Sequence, residues 1–270
     1  MKDCLKDERS EEDVRKPDEI HREEKNFYDQ QIAKGLQDSE ETVDIKKRAS
    51  LLKALGIDER LEGIKILECG CGTGWLTSEL AGRGATVTCF DISYESVKKT
   101  RSRVEENGVH ERVYPQVAAM EELPYKGQSF DLVIGIFILH HTADLKKAAE
   151  EIFRVLKPGH KAVFYETSGT NPILMFFRRH LAGRWGIPKM GTQDEHPLTS
   201  KDIQNISSVF SAKCDISYPR FRFFGKISFQ LFRNHYKMLK YLLQVIDKFV
   251  YQCLPFLRRY SFQVMIKLTK

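Results

Sequence analysis

The stretch Ile64-Lys65-Ile66-Leu67-Glu68-Cys69-Gly70-Cys71-Gly72-Thr73-Gly74-Trp75 decides the fold. A short apolar strand pattern runs into three alternate glycines, and a helix pattern follows from Trp75 to about Ala81. Glycines at such a turn let the backbone pass close to a ligand and take dihedrals that other residues avoid. The unit therefore reads as a nucleotide-binding turn, and its spacing excludes two ligand classes. A dinucleotide turn needs G-x-G-x-x-G. Counted from Gly70 the sixth position is Trp75, and counted from Gly72 it is Thr77. No Walker lysine follows, which argues against a nucleoside triphosphate.

Working outward, strands and helices alternate. Ala85 to Phe90 reads as a second strand ending in Asp91, and Ser93 can cap a helix that runs through Glu106. Val113–Ala118 is a third strand, and the nearly all-apolar run from Phe130 to Phe137 a fourth, covered on both faces. An amphipathic helix from Asp144 to Leu156 stops at Lys157-Pro158-Gly159, and Ala162–Glu166 is a fifth strand. This alternation predicts an α/β, Rossmann-like, doubly wound sheet. Lys213–Tyr218 and Arg259–Leu268 would complete seven strands. Upstream, helices are expected over Glu19–Lys34, with Ile20, Phe27, Tyr28 and Ile32 as the apolar stripe, and over Val43–Leu55.

The ligand follows from two acids. Glu68, two residues before G-x-G-x-G, is placed to meet an ammonium group while the glycine amides meet a carboxylate. Asp91, at the end of the second strand, can accept from both hydroxyls of a ribose. S-adenosylmethionine carries all of these groups.

Five segments then carry a family resemblance: I-L-E-C-G-C-G-T-G-W, V-T-C-F-D-I-S, E-E-L-P-Y, F-D-L-V-I-G-I-F-I-L-H-H and F-R-V-L-K-P-G. In order and spacing they resemble the class I S-adenosylmethionine-dependent methyltransferases, in particular the ubiquinone- and menaquinone-biosynthesis branch, over Ile64 to about Thr167. The resemblance implies cofactor contacts from Tyr28, Glu68, Cys69, Gly70, Cys71, Gly72, Asp91, Ile92, Ala119, Met120 and Ile136. It also implies an aspartate before the E-L-P-Y turn, where this chain has Ala119, so cofactor binding is expected to be somewhat weaker. The acceptor is not specified: O- or C-methylation of a small or lipophilic compound is favoured by the resemblance. RNA or protein methylation, or cofactor binding without turnover, are the rival readings. No N-P-P-Y-type motif follows the fourth strand, where Ile136-Phe137-Ile138-Leu139 stands instead, which disfavours methylation of base or glutamine amino groups.

Candidates for acid–base chemistry are His140 and His141 after the fourth strand, Glu166 at the end of the fifth, and His196 beside Asp194-Glu195. Each has a structural alternative: the histidines can shape a turn, and Glu166 can cap the turn at Ser168-Gly169. The expected organisation is a tail over residues 1–18 and one domain over 19–270. That domain would hold N-terminal helices (19–56), a cofactor core (61–167) and cap insertions at about 168–198 and 225–257.

The remaining composition bears on partners. The six cysteines are scattered without a C-x-x-C pair, so reduced thiols are expected and no metal site. The charged N-terminus lacks an apolar signal segment and no apolar run is long enough to span a bilayer, which makes the cytoplasm the expected location. Net charge is +6, but residues 171–270 hold 17 Lys and Arg against 5 Asp and Glu. Aromatics interleave with the bases there, as in Tyr218-Pro-Arg-Phe-Arg-Phe-Phe and Phe256-Leu-Arg-Arg-Tyr. Three readings fit: helices packed apolar-side on the sheet edge, a peripheral lipid-interface surface, or single-stranded nucleic acid binding. The last is the least favoured, for want of an RNA-binding module.

Overall fold

The computed structural model describes residues 16–34, 45–57, 60–180, 196–210, 214–225 and 237–270, the side chains of 45–48 and 237 excepted. Seven strands form one sheet: β1 (Lys65–Cys69), β2 (Thr86–Asp91), β3 (Val113–Val117), β4 (Phe130–Ile136), β5 (Leu156–Thr167), β6 (Cys214–Ser217) and β7 (Gln263–Thr269). Their order is β3-β2-β1-β4-β5-β7-β6. The first five are mutually parallel; β7 runs antiparallel to both β5 and β6. The order reverses between β1 and β4, and in a parallel sheet the crevice for ligands opens at the carboxyl edge of that switch point.

Helices cover both faces, which is why the central strands read as unbroken apolar runs. Among the described residues the helices are α1 (Pro17–Ala33), α2 (Ile45–Leu55), α3 (Trp75–Gly82), α4 (Tyr94–Glu106), α5 (Leu145–Val155), α6 (Pro172–His180), α7 (Ser200–Val209) and α8 (Lys237–Cys253). One core cluster joins Leu67, Val133 and Phe164 to Ile152 of α5 and Ile206 of α7. The other joins Ile66, Val87 and Ile134 to Leu52 of α2, Leu80 of α3 and Val97 of α4. Side chains of this kind contribute about 1.5–3 kcal/mol each when fully buried. α5 shows the local logic: Asp144 accepts from the Lys146 and Lys147 amides, and Ala148, Ala149, Ile152 and Val155 form its buried stripe.

Several expectations change. Lys157-Pro158-Gly159 ends α5 as expected but already belongs to β5, which starts at Leu156 rather than Ala162. Leu156 pairs with Phe130, a register shift before Leu132 absorbs the extra length, and Gly159 takes φ +78°. The seventh strand starts at Gln263, because Arg259 and Tyr260 end a 3-10 turn over Pro255–Tyr260. The only fully buried residue of α1 is Glu24, not its apolar stripe, whose Ile20, Phe27, Tyr28 and Ile32 are half-buried. The reading of C-terminal helices with apolar sides against the sheet edge fails for α8: Met238, Tyr241, Leu242, Val245 and Phe249 are all exposed.

Candidate active site

The glycine turn is built by its backbone. Gly70, Gly72 and Gly74 take φ of +72°, +52° and +79°, a region that costs other residues about 1–2 kcal/mol. Space is also short. A Cβ on Gly70 would lie 2.7 Å from Ile138 Cδ1, and one on Gly74 2.9 Å from the Thr100 backbone. The Gly70 and Cys71 amides donate to the Phe90 carbonyl (2.9 and 3.0 Å), which ties the turn to β2.

Asp91 closes the same turn from the other side. Its two oxygens accept from the Gly72 amide (2.9 Å) and the Ser93 amide (2.9 Å), and four carboxylate lone pairs leave capacity for a ligand's hydroxyls. Glu68 lies behind the glycines, 3% exposed, and accepts from the Thr77 hydroxyl at 2.6 Å. Burial pushes its pKa up to about 8 against the pull of that hydrogen bond, and the charge of Asp91 adds to the rise. Burial raises Asp91 as well. Two carboxyls held above their ordinary range are stabilised in ionised form by a cation placed between them. That is the fit expected of S-adenosylmethionine, whose ammonium and sulfonium are both positive.

Cys69 and Cys71 point into the core, so only their backbone faces the turn. Burial raises Cys69; hydrogen bonding to Cys89, then burial, raises Cys71. They are inert thiols rather than nucleophiles or ligands. Ile92, Ala119 and Ile136 are half-buried at the ends of β2, β3 and β4, and Met120 is buried in the core cluster beside Cys69 and Phe90. Among the described residues no group of three His, Cys, Asp or Glu could hold a metal ion.

The structure joins three of the four acid–base candidates. Glu166, fully buried, accepts at one oxygen from the Ile138 and Leu139 amides (2.7 and 2.8 Å). Its other oxygen lies 2.7 Å from His140 Nδ1. Glu166 therefore braces the turn after β4, not the one at Ser168-Gly169. With Nδ1–H donating to the carboxylate, His140 Nε2 is left as a proton acceptor. Ile138 of this turn is also the residue against Gly70, so the pair and the cofactor turn are neighbours. Phe137, the first residue of that turn, takes φ +56°, which shows how sharply the chain bends there.

His141 stacks on His140 with ring centroids 4.1 Å apart, but its nitrogens face α1: Nε2 lies 3.2 Å from the Tyr28 hydroxyl and Nδ1 3.2 Å from Glu24. His196 is set apart. It is half-exposed, 3.6 Å from Asp202, the carboxylate that completes the Thr199 capping box of α7. Neighbouring Asp194 and Glu195 lie outside the described residues.

Sequence reading missed the polar contacts by which α1 spans the loops of this edge. Asp29 accepts from the Ser93 hydroxyl (2.5 Å) and the Glu95 amide (3.3 Å), next to Asp91. His21 lies 3.2 Å from Glu121, whose carboxylate also accepts from the Ala143 and Asp144 amides. A signal was available in the i, i+3, i+7 and i+8 spacing of His21, Glu24, Tyr28 and Asp29, which is one helix face. It was hidden because polar residues on a helix ordinarily mark the solvent side.

Comparison with known proteins agrees with this geometry. A family model described as a methyltransferase domain matches residues 67–164. The ubiquinone biosynthesis O-methyltransferase of Pseudomonas fluorescens is 37% identical over 131 residues, 47% of this chain and 54% of the relative. The sterol 4-C-methyltransferase strm-1 of Caenorhabditis elegans is 29% identical over 51% of this chain and 43% of its own length. The chain thus spans about half the length of the curated relatives it matches. Among solved structures, a chain of the Haloferax volcanii complex between the Trm112 methyltransferase activator and a methyltransferase has TM-score 0.60 at 15% identity, covering 90% of this chain and 96% of its own. The cyclase SpnF has TM-score 0.56 at 18% identity, covering 82% and 80%. These two likenesses show the fold alone, and a cyclase among them shows that the fold does not dictate the reaction. The family model supplies what the fold leaves open, and the motifs it spans are those that build the glycine turn, Asp91 and the His140 turn. Residues 67–164 therefore match a methyltransferase domain, and the chain is similar to the ubiquinone-biosynthesis O-methyltransferases over about half of its length and of theirs.

Proposed function

We propose that this protein methylates an oxygen or an activated carbon of a small, lipophilic acceptor. The observation that carries this reading is the His140–Glu166 pair, buried beside the cofactor turn with one imidazole nitrogen free to take a proton. When bound, S-adenosylmethionine supplies an electrophilic methyl group on a sulfonium. Glu68 and Asp91 would hold it, whereas the Gly70, Cys71, Gly72 and Gly74 amides, expected to meet its carboxylate, already donate to the Phe90 carbonyl, Asp91 and the Cys71 carbonyl. A phenol or an acidic carbon must lose its proton to become a good nucleophile, and His140 is the acceptor for that proton. Glu166 fixes the tautomer and stabilises the imidazolium that forms. Orientation within a closed site supplies much of the remaining rate effect, and α1 is placed to exclude water there. The names of the relatives, a ubiquinone-biosynthesis O-methyltransferase and a sterol 4-C-methyltransferase, support a lipophilic acceptor and either acceptor atom. Within this reading the enzyme works in the cytoplasm, in peripheral contact with a membrane into which such acceptors partition.

The test has two stages. Calorimetry with S-adenosylmethionine and its demethylated product should show binding. A panel of phenols, catechols, quinols and sterols should then show methyl transfer that His140→Asn abolishes. Binding without turnover across the panel favours a cofactor-binding protein of another kind, and turnover on RNA or protein alone overturns the acceptor class.

A further inference from the structure

We infer that the outer face of α8, with the 3-10 turn that follows it, is a docking surface for an anionic lipid bilayer. Met238, Tyr241, Leu242, Val245 and Phe249 recur at helical spacing, so they form a single stripe. That stripe faces outward: Met238 is 88% exposed and Tyr241 71%. Phe256, in the following turn, is 67% exposed. A row of large apolar side chains on one helix is more than the scattered exposed residues of an ordinary surface.

The orientation is held from the opposite side of the helix. Asp247 is buried and accepts from the amides of Phe223, Phe224 and Gly225 at 3.1, 3.0 and 2.9 Å. Val250, also buried, lies on the same inner side. Rotating the stripe inward would strip Asp247 of three hydrogen bonds. α6, which exposes Ile173 and Phe176, is clamped nearby: Thr170 Oγ1 donates to the Arg259 carbonyl (2.6 Å) and Asn171 Nδ2 to the Tyr260 carbonyl (2.7 Å).

Charge selects the occupant. Residues 171–270 carry 17 basic against 5 acidic side chains, so this part is strongly positive while the rest of the chain is net negative. Lys248 is exposed on α8, and two arginines follow Phe256 in the turn, Arg259 exposed and Arg258 half-buried over the Tyr251 ring. Two copies facing each other would oppose like charges, which disfavours a dimer through this face. An apolar stripe with aromatics, edged by Lys and Arg, is the pattern of a helix lying in a lipid interface. The charged heads stay at the headgroups while their stems cover apolar surface. No described helix is long and apolar enough to cross a membrane, and a helix of 17 residues, about 25 Å long, lies in the plane.

The inference rests on the proposed lipophilic acceptor for its purpose, but it fails or stands separately. Full-length protein is sedimented with vesicles of phosphatidylcholine containing phosphatidylglycerol, and with pure phosphatidylcholine, at low and high salt. Co-sedimentation is expected with the anionic vesicles and should weaken with salt. The double variant Leu242→Glu/Phe249→Glu should bind them at least roughly tenfold more weakly. Its cofactor affinity and circular dichroism should match those of the native protein. The idea is overturned if native protein stays in solution at low salt, or if the variant sediments equally well. It is also overturned if sedimentation velocity shows a dimer that the double variant dissolves, or if an acidic protein, and no vesicle, is retained by the stripe. Turnover of a water-soluble acceptor is measured alongside. Vesicle binding without turnover sinks the proposed reaction and leaves the docking surface; turnover without vesicle binding does the reverse.

Discussion

Glu68→Gln is expected to abolish a proton release that accompanies cofactor binding in the native protein. The carboxyl is 3% exposed, its one short contact is the Thr77 hydroxyl at 2.6 Å, and burial lifts its pKa to about 8. At pH 7 roughly nine-tenths of the cofactor-free molecules therefore hold a proton there, since one pH unit separates the two. An ammonium beside Glu68 favours the ionised form, so binding expels close to one proton per cofactor. The apparent association constant should rise by up to roughly tenfold from pH 6 to pH 7. Assays are kept below about pH 7.5, because the ligand's own α-amino group titrates near 7.7–8.0. The same group shapes stability without ligand. Its folded pKa is raised above the ordinary 4.5, so its favourable contribution is complete below that value and is lost as pH rises through about 8. The melting temperature of the cofactor-free protein should accordingly fall less between pH 5 and 8 in Glu68→Gln than in the native chain. Calorimetry in phosphate and in Tris reads the proton directly, because the two buffers differ in ionisation enthalpy. Equal apparent enthalpies in both, or an unchanged pH slope in Glu68→Gln, would refute the coupling of Glu68 to the ammonium.

Four further outcomes follow from the same geometry. His140→Asn should lower kcat by roughly 10²–10⁴-fold with the cofactor dissociation constant unchanged, whereas loss of cofactor binding would show that His140 is structural. Ala119→Asp should tighten cofactor binding by about 1.5–3 kcal/mol if the aspartate reaches a ligand donor at the end of β3; calorimetry showing no change would mean that the resemblance is misaligned there. Gly74→Ala should lower the melting temperature more than Gly70→Ala. Both replacements meet positive φ, but the new methyl at 74 meets the Thr100 backbone and the one at 70 the movable tip of Ile138. For α1, the Glu121 hydrogen bond outweighs burial and raises the His21 pKa above 6.5. Its contribution is full below 6.5 and lost as pH rises through the raised value, so hydrogen exchange in α1 should quicken over that range, and His21→Gln should remove the pH dependence.

How much was legible from sequence differs by region for physical reasons. Strands β1 to β4 and the helices between them were readable because parallel strands buried on both faces need unbroken apolar runs, and caps such as Ser93 and Asp144 mark helix starts. The glycine turn was readable for a stricter reason: positive φ at Gly70, Gly72 and Gly74, together with the lack of room at 70 and 74, leaves little choice of residue. β5 was misplaced by six residues because Pro158 and Gly159 are equally apt in a helix stop and at a sheet margin; only pairing of Leu156 with Phe130 distinguishes them.

The candidate acid–base pair could be named but not assembled. His140 and Glu166 are 26 residues apart, and only the pairing of β4 with β5 brings their ring and carboxylate to 2.7 Å. Nothing local separates His140 from His141, yet one faces a buried carboxylate and the other is held by Tyr28 and Glu24 of α1. α8 shows the converse, since its apolar residues look the same whether they face a sheet or solvent. By itself, then, the sequence determined the sheet, the cofactor turn and the methyl donor, because backbone conformation and burial restrict residue type position by position. The tertiary structure alone decided which histidine holds a free nitrogen at the site and which face of α8 meets the surroundings, because both depend on contacts between segments distant in the chain.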